Sequence, residues 1–307
     1  MSPPSFTALG IDVGGTKIAA GLVTFPQCLV GPRKTIRTAP LRGSHAVLDD
    51  VEHLVRELTL EAADAAISID AIGLGICEIV TSSGDIASSN CIHWPGTMGR
   101  DRLASFAPVI IEADVRAAAR AEALFGAGQN RGSFLYISIG TGISCSLVIQ
   151  GKPFLGARGA TGTMASGPFP GYREIASKNV LPPLEQIASG AGLVARFNAL
   201  HGNATSAQEV LAAADHGNEH AIHILDSAAK ALGGSIGTLV NVLDPEAVIL
   251  GGGLGSLPGR YHDRLVEFAR HHIWWQGHRD LPILLAATGP DAGLIGAAAS
   301  AWKHFSP

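Results

Sequence analysis

The sequence predicts an α/β protein with mixed strand directions, and three observations carry that reading. Short apolar strands alternate with amphipathic helical stretches. A strand, glycine turn and strand unit occurs twice, at residues 6–24 and 134–149, so one supersecondary unit is duplicated. Among 307 residues, 38 are glycine and only 6% are aromatic, which suits close helix–sheet packing and glycine turns.

The elements follow in order. Phe6–Ile11 and Ile18–Thr24 are apolar strands around Gly14-Gly15. Ser44 is positioned to cap a helix over 45–66, where Val47, Leu48, Val51, Leu54, Val55 and Leu58 recur every three or four residues. Ala71–Ile76 reads as a short buried strand, and 81–90 as a polar loop. Val109–Ile111 is a strand that runs into Asp114 and an alanine-rich helix over 115–125. Strands at 134–139 and 143–149 flank Gly140-Thr141-Gly142. The glycine- and proline-rich stretch 156–183 is a long functional loop. Helices are expected at 184–199, 206–214, 218–243 and 259–272, strands at 248–250 and 282–286, and a small-residue helix over 292–303. The chain divides most naturally near residue 112, giving lobes 1–112 and 113–291, with the last helix, about 292–307, returning to the first lobe.

Composition excludes several functions. The formal charge is −4 and no basic block occurs, which disfavours a nucleic-acid groove or an anionic-membrane patch. No apolar run is long enough to span a bilayer and no leader pattern opens the chain, so a soluble cytoplasmic protein is expected. The four cysteines, Cys28, Cys77, Cys91 and Cys145, show no metal-ligand spacing and read as small buried thiols.

The glycine turns point to phosphate. Gly14-Gly15-Thr16, Gly140-Thr141-Gly142 and Gly251-Gly252-Gly253 each follow an apolar strand, where backbone N–H groups meet an anion unobstructed by side chains. Asp12 suits Mg²⁺, directly or through water, and Lys17 suits phosphate charge. Neither a P-loop nor a Gly-x-Gly-x-x-Gly pattern is present at these turns.

Asp-Val-Gly-Gly-Thr-Lys at 12–17 resembles the first phosphate motif of the ROK sugar kinases, within the actin/hexokinase superfamily. The resemblance extends through 73–81 with 90–96 (sugar), 112–122 (catalytic segment), 140–142 (second phosphate motif), 184–190, 241–253 (adenosine) and 292–297. It implies two ribonuclease-H-like lobes, an actin-like ATPase or hexokinase fold with a cleft that closes over ATP, Mg²⁺ and a sugar. It implies Asp114 as the general base toward a primary hydroxyl. It places Asp12, Gly14, Gly15, Thr16, Lys17, Gly140, Thr141, Gly142, Gly251, Gly252 and Gly253 at the nucleotide. Asn90, Ala113, Asp114, Thr163, Ser166 and Glu185 fall at the sugar, and the implied assembly is a homodimer.

The sequence also departs from that family. Thr163-Met164-Ala165-Ser166 replaces Glu-x-Gly-His, and no cysteine follows residue 145, so no structural zinc knuckle is expected. Asn-Asp-Ala-Asn becomes Ala113-Asp114-Val115-Arg116, and Pro-Gly becomes Cys77-Glu78. Buried partners left unpaired argue against ordinary glucose. Glu78 suits a cationic amine, which suggests an amino sugar such as kanosamine, known for specialised relatives in antibiotic pathways. A C7-cyclitol kinase and an ordinary glucokinase are the alternatives, and a catalytically weak sugar sensor or scaffold is a reading of a different class. A DNA-binding repressor of the family is disfavoured, because the first phosphate motif begins at residue 12.

Overall fold

The computed structural model describes residues 5–169, 181–200 and 202–306. It contains two compact units: residues 1–130, 151–161 and 287–307 form the first, and residues 131–150 and 162–286 the second.

In the first unit, β1 (Phe6–Val13), β2 (Lys17–Phe25) and β3 (Leu29–Arg37) form an antiparallel meander. The helix α1 (Ser44–Asp64) then leads to β4 (Ala71–Ile76), which pairs parallel with β1. A loop and the short α2 (Met98–Leu103) lead to β5 (Val109–Ala113), parallel to β4, and α3 (Asp114–Phe125) follows at once. The sheet order is β3-β2-β1-β4-β5.

Alternation along the strands explains the composition. Successive side chains point to opposite faces. Leu9, Ile11, Ile18, Leu22, Ile72 and Leu74 join the core that holds Val47, Val51, Leu54 and Leu58 of α1. The opposite face is built from Ala8, Gly10, Gly21, Ala71 and Gly73, and the C-terminal helix Ala292–Phe305 lies on it through Leu294 and Ala298. Approach there is close. A Cβ on Gly73 would sit 1.8 Å from the Ala297 carbonyl oxygen, so no larger residue fits without moving backbone.

The second unit repeats the scheme. Ser133–Ile139 pairs antiparallel with Ile143–Ile149 and parallel with Val248–Gly251, which in turn pairs with Ile283–Leu285. Leu135, Ile137 and Ile139 pack in one core with Leu225, Leu232 and Ile236 of the helix Glu219–Leu243 and with Leu265 of the helix Arg260–His272. Two sheets, each with antiparallel strands extended by two parallel ones, make a pair of ribonuclease-H-like units.

Several expectations change. The first unit extends through residue 130, not 112, because α3 packs on the C-terminal helix; Asp114 therefore belongs to the first unit. Ser44 opens α1 without capping it; Gly43 stands at the cap with no side-chain bond. The strand β3 was not anticipated, because residues 29–37 are mostly exposed and contain Gly31 and Pro32. The helix expected over 184–199 is two helices, Leu184–Ala188 and Gly190–Leu200, separated at Ser189. Of the long loop expected over 156–183, residues 170–180 lie outside the described residues.

Candidate active site

Parallel strands carry ligands at their carboxyl ends, where the backbone leaves the sheet and loops diverge. In the first unit that edge is made by β1, β4 and β5. The register pairs Asp12 with Gly75, Val13 with Ile76, and Ile76 with Ala113. Asp12 near the end of β1, Cys77 just after β4 and Asp114 just after β5 therefore stand at one edge.

Asp114 is the first residue of α3, and its Oδ1 accepts from the Val115 amide at 2.6 Å. Ala113 is the cap residue and, having no side-chain acceptor, leaves that task to Asp114. Burial pushes the Asp114 carboxyl up to about 7, and the nearby Asp12 charge adds to the rise; the Val115 amide and Arg116 act against it. Asp12 is pushed up to about 6 by burial, with Lys17 opposing. The N-terminal turn of the C-terminal helix meets Asp12: a Cβ on Gly293 would lie 2.3 Å from Asp12 Oδ2. Sequence reasoning did not find Gly293 as a neighbour of Asp12, because nearly the whole chain lies between them.

The turn after β1 is tight. The Gly14 amide donates to Lys17 O at 3.0 Å, and Thr38 Oγ1 donates to Gly14 O at 2.6 Å. Gly14 and Gly15 are not in the left-handed region, and Gly15 packs closely on the neighbouring loop: a Cβ there would fall 2.8 Å from Cys91 Sγ. Thr16 and Lys17 are exposed.

Glu78 has a different role from the one expected of an amine reader. It is 6% exposed. Its Oε1 accepts from the amides of Cys91 (2.6 Å) and Ile92 (2.9 Å). Its Oε2 accepts from the amide of Asn90 (2.9 Å) and from Ser88 Oγ. Two carboxylate oxygens offer about four acceptor sites, and all are taken. These bonds hold the carboxyl below the usual carboxylate range against the cost of burial. Glu78 shapes the 88–92 loop, and the observed carboxylate has no acceptor site left for a ligand amine. Asn90, an expected sugar contact, is exposed on that loop. Trp94 anchors the loop, fully buried, with Nε1 donating to Ser44 O at 2.8 Å.

Arg116 is 2% exposed and forms a buried salt bridge. Its Nε donates to Glu112 Oε1 at 2.5 Å, and its two terminal nitrogens donate to Gly159 O (2.7 Å) and Val80 O (2.8 Å). It thus ties the loops at 80 and 159 to the helix that begins at Asp114.

In the second unit, Gly140-Thr141-Gly142 forms the turn between two antiparallel strands, with the Gly140 amide on Gly142 O at 2.9 Å. Glu185 adjoins it: Oε2 accepts from the Ile143 amide at 3.2 Å, and a Cβ on Gly142 would lie 2.7 Å from the same oxygen. Glu185 and this turn, read separately in the sequence, are neighbours. Gly251 ends a strand and Gly252-Gly253 open a single helical turn, Gly252–Gly255, with Gly252 at φ 80°. Thr163 and Ser166 are exposed on one turn, the Ser166 amide on Thr163 O at 3.1 Å.

Among the described residues no group of three or more His, Cys, Asp or Glu is placed to hold a metal ion. The chemistry at Asp12 fits Mg²⁺ in its usual manner, one carboxylate with the remaining positions left to water and phosphate oxygens. A desolvated carboxyl with a raised pKa gains from a cation beside it. Among the described residues no helix is long and apolar enough to cross a membrane.

A duplicated hairpin-plus-parallel-strand architecture with acidic residues at the strand ends defines the actin-like and hexokinase class. The ROK family profile matches residues 8–304, and the chain belongs to the ROK family. It is 32% identical over 304 residues to the bifunctional enzyme NanE/NanK of Brucella melitensis, covering 99% of this chain and 55% of that protein. The chain thus spans about half the length of this relative. It is 26% identical over 229 residues to an N-acetylmannosamine kinase of Salmonella newport, covering 74% of this chain and 76% of the other. The ROK hexokinase of Thermus thermophilus superposes with a TM-score of 0.77 at 29% identity, over 97% of this chain and 99% of the other.

Proposed function

We propose that this chain is an ATP-dependent kinase that transfers a phosphoryl group to the primary hydroxyl of a hexose-like acceptor. The observation that carries the proposal is Asp114: a carboxyl on the first residue after a parallel strand, at the edge that also holds Asp12, with burial raising its pKa toward neutrality. Asp114 would accept the proton of the attacking hydroxyl. Asp12 would hold Mg²⁺ bound with the nucleotide, directly or through water, and the metal would neutralise phosphate charge. Gly14, Gly15, Thr16 and Lys17 are the proposed phosphate turn of the first unit; Gly140, Thr141, Gly142, Gly251, Gly252 and Gly253 are the proposed nucleotide contacts of the second. Asn90, Ala113, Thr163, Ser166 and Glu185 are the proposed acceptor positions. A cytoplasmic homodimer is part of the same reading.

Glu78 leaves the list of acceptor contacts, and with it goes the amine-recognition argument for kanosamine. What still supports an uncommon acceptor is the loss of hydroxyl-reading side chains at Ala113, Thr163 and Ser166. The relatives named for N-acetylmannosamine and for hexose widen the choice. The test is sugar-dependent ADP release across glucose, N-acetylmannosamine, kanosamine and a C7-cyclitol, with Asp114→Asn as control. Loss of Asp114 is expected to lower kcat about 10²–10⁴-fold for the true acceptor. ADP release that is independent of sugar and equal in the variant refutes the kinase.

A further inference from the structure

Cys77 and Cys91 are drawn together by the fold. Cys77 follows the last residue of β4, at the edge that carries Asp12 and Asp114. Cys91 lies in the loop that Glu78 gathers: Glu78 adjoins Cys77 in sequence, and its Oε1 accepts the Cys91 amide at 2.6 Å. The two thiols face each other as direct side-chain neighbours. Cys91 Sγ also lies 2.8 Å from where a Cβ on Gly15 would stand, so it touches the phosphate turn. Both side chains are half-buried. The remaining two cysteines do not compete. Cys145 is buried in the second unit and contacts Gly162 O, and Cys28 packs with the cluster beneath the C-terminal helix.

The Cys77 thiol beside it favours the Cys91 thiolate, against burial and the Glu78 charge. A thiolate with a second thiol in contact is the arrangement that makes a disulfide under oxidation and resists further oxidation of sulfur.

We propose that Cys77 and Cys91 form a reversible disulfide under a hydroperoxide oxidant, and that this bond shuts down the site beside Asp114. In the first step the Cys91 thiolate attacks the peroxide; an S–O bond forms, the O–O bond breaks, and with hydrogen peroxide the departing hydroxide leaves as water after protonation. In the second, Cys77 sulfur attacks the Cys91 sulfenic sulfur; the S–S bond forms, the S–O bond breaks, and a second water leaves with the Cys77 proton. Two thiols lose two electrons and the peroxide gains them. The inactivation half of the proposal rests on the kinase reading; the disulfide does not.

The test treats the full chain with hydrogen peroxide. The expected result is a loss of two hydrogens in the intact mass and a fall from four titratable thiols to two, both reversed by dithiothreitol. Proteolysis at Asp85, between the two cysteines, should leave peptides joined through residues 77 and 91. The double variant Cys28→Ser/Cys145→Ser should still form the bond. Cys77→Ser should instead accumulate a dimedone-reactive sulfenic acid at Cys91. Four persistent thiols, a bond mapped to another pair, or an intermolecular bond overturns the disulfide. With the bond formed, sugar-dependent ADP release should fall to background and return on reduction; unchanged turnover overturns the inactivation. A reduced protein that phosphorylates no sugar refutes the kinase reading while the mass measurement still decides the disulfide.

Discussion

Replacing Glu78 with glutamine separates a loop-shaping carboxylate from an amine reader. The amide fits the same space but supplies one oxygen and one NH₂. Oriented to keep the Cys91 and Ile92 amides on oxygen, it turns its NH₂ toward the Asn90 amide and Ser88 Oγ. The serine hydroxyl can rotate to accept, but the Asn90 amide is left facing another donor, at about 1–3 kcal/mol. The two retained bonds lose their charge assistance and about half their strength. The sum is about 2–4 kcal/mol of stability. Urea denaturation at pH 7 measures it, and kcat/KM for amino and neutral sugars should fall together, since the loop serves both. The Glu78 pKa is lowered in the folded state, so its contribution is present at neutral pH and fades as pH falls below about 4. A change under about 0.5 kcal/mol, with loss confined to amine-bearing acceptors, would refute the reasoning.

Three further outcomes follow from other residues. The raised Asp114 carboxyl should give kcat/KM an acid limb near pH 7, with activity lost as pH falls and the base becomes protonated, in a pH–rate profile. The same shift means ionised Asp114 costs folding energy above its folded pKa and nothing below about pH 4; Asp114→Asn should therefore be about 1–3 kcal/mol more stable than the parent at pH 8, with the gap closing at pH 4, by denaturation at each pH. Arg116→Met leaves the Glu112 carboxylate with Arg120 and the Ala113 amide but strands two loop carbonyls, and should cost about 2–4 kcal/mol in the same assay, with a rise in acceptor KM. Gly73→Ala drives a methyl into the Ala297 carbonyl and should cost at least about 1–3 kcal/mol, lowering Tm in calorimetry.

The sequence was most legible where period and burial agree. β4 occupies 71–76 as read, because alternating Gly/Ala and Ile/Leu leaves one face for α1 and one for the C-terminal helix. β3 escaped because an exposed edge strand needs no apolar face. The site was legible as residue types on strand ends: Asp12, Asp114 and the glycine turns stand out locally. Partnerships across the chain were not. Nothing near Glu78 announces that four donors from 88–92 converge on it, and nothing near Arg116 announces the carbonyls of 80 and 159. Thiol contact between Cys77 and Cys91 depends on the same hidden loop closure.

The small-residue face of the first sheet has a consequence for synthesis. Its cover, Ala292–Phe305, is translated after the whole of 131–286, although the strands beneath it precede that stretch. On the ribosome the second unit therefore has all its strands while the Ala8, Gly10, Ala71 and Gly73 surface still lacks its helix. The growing chain carries an uncovered apolar sheet face while the whole of 131–286 is made, a window for chaperone contact that closes when the helix Ala292–Phe305 docks.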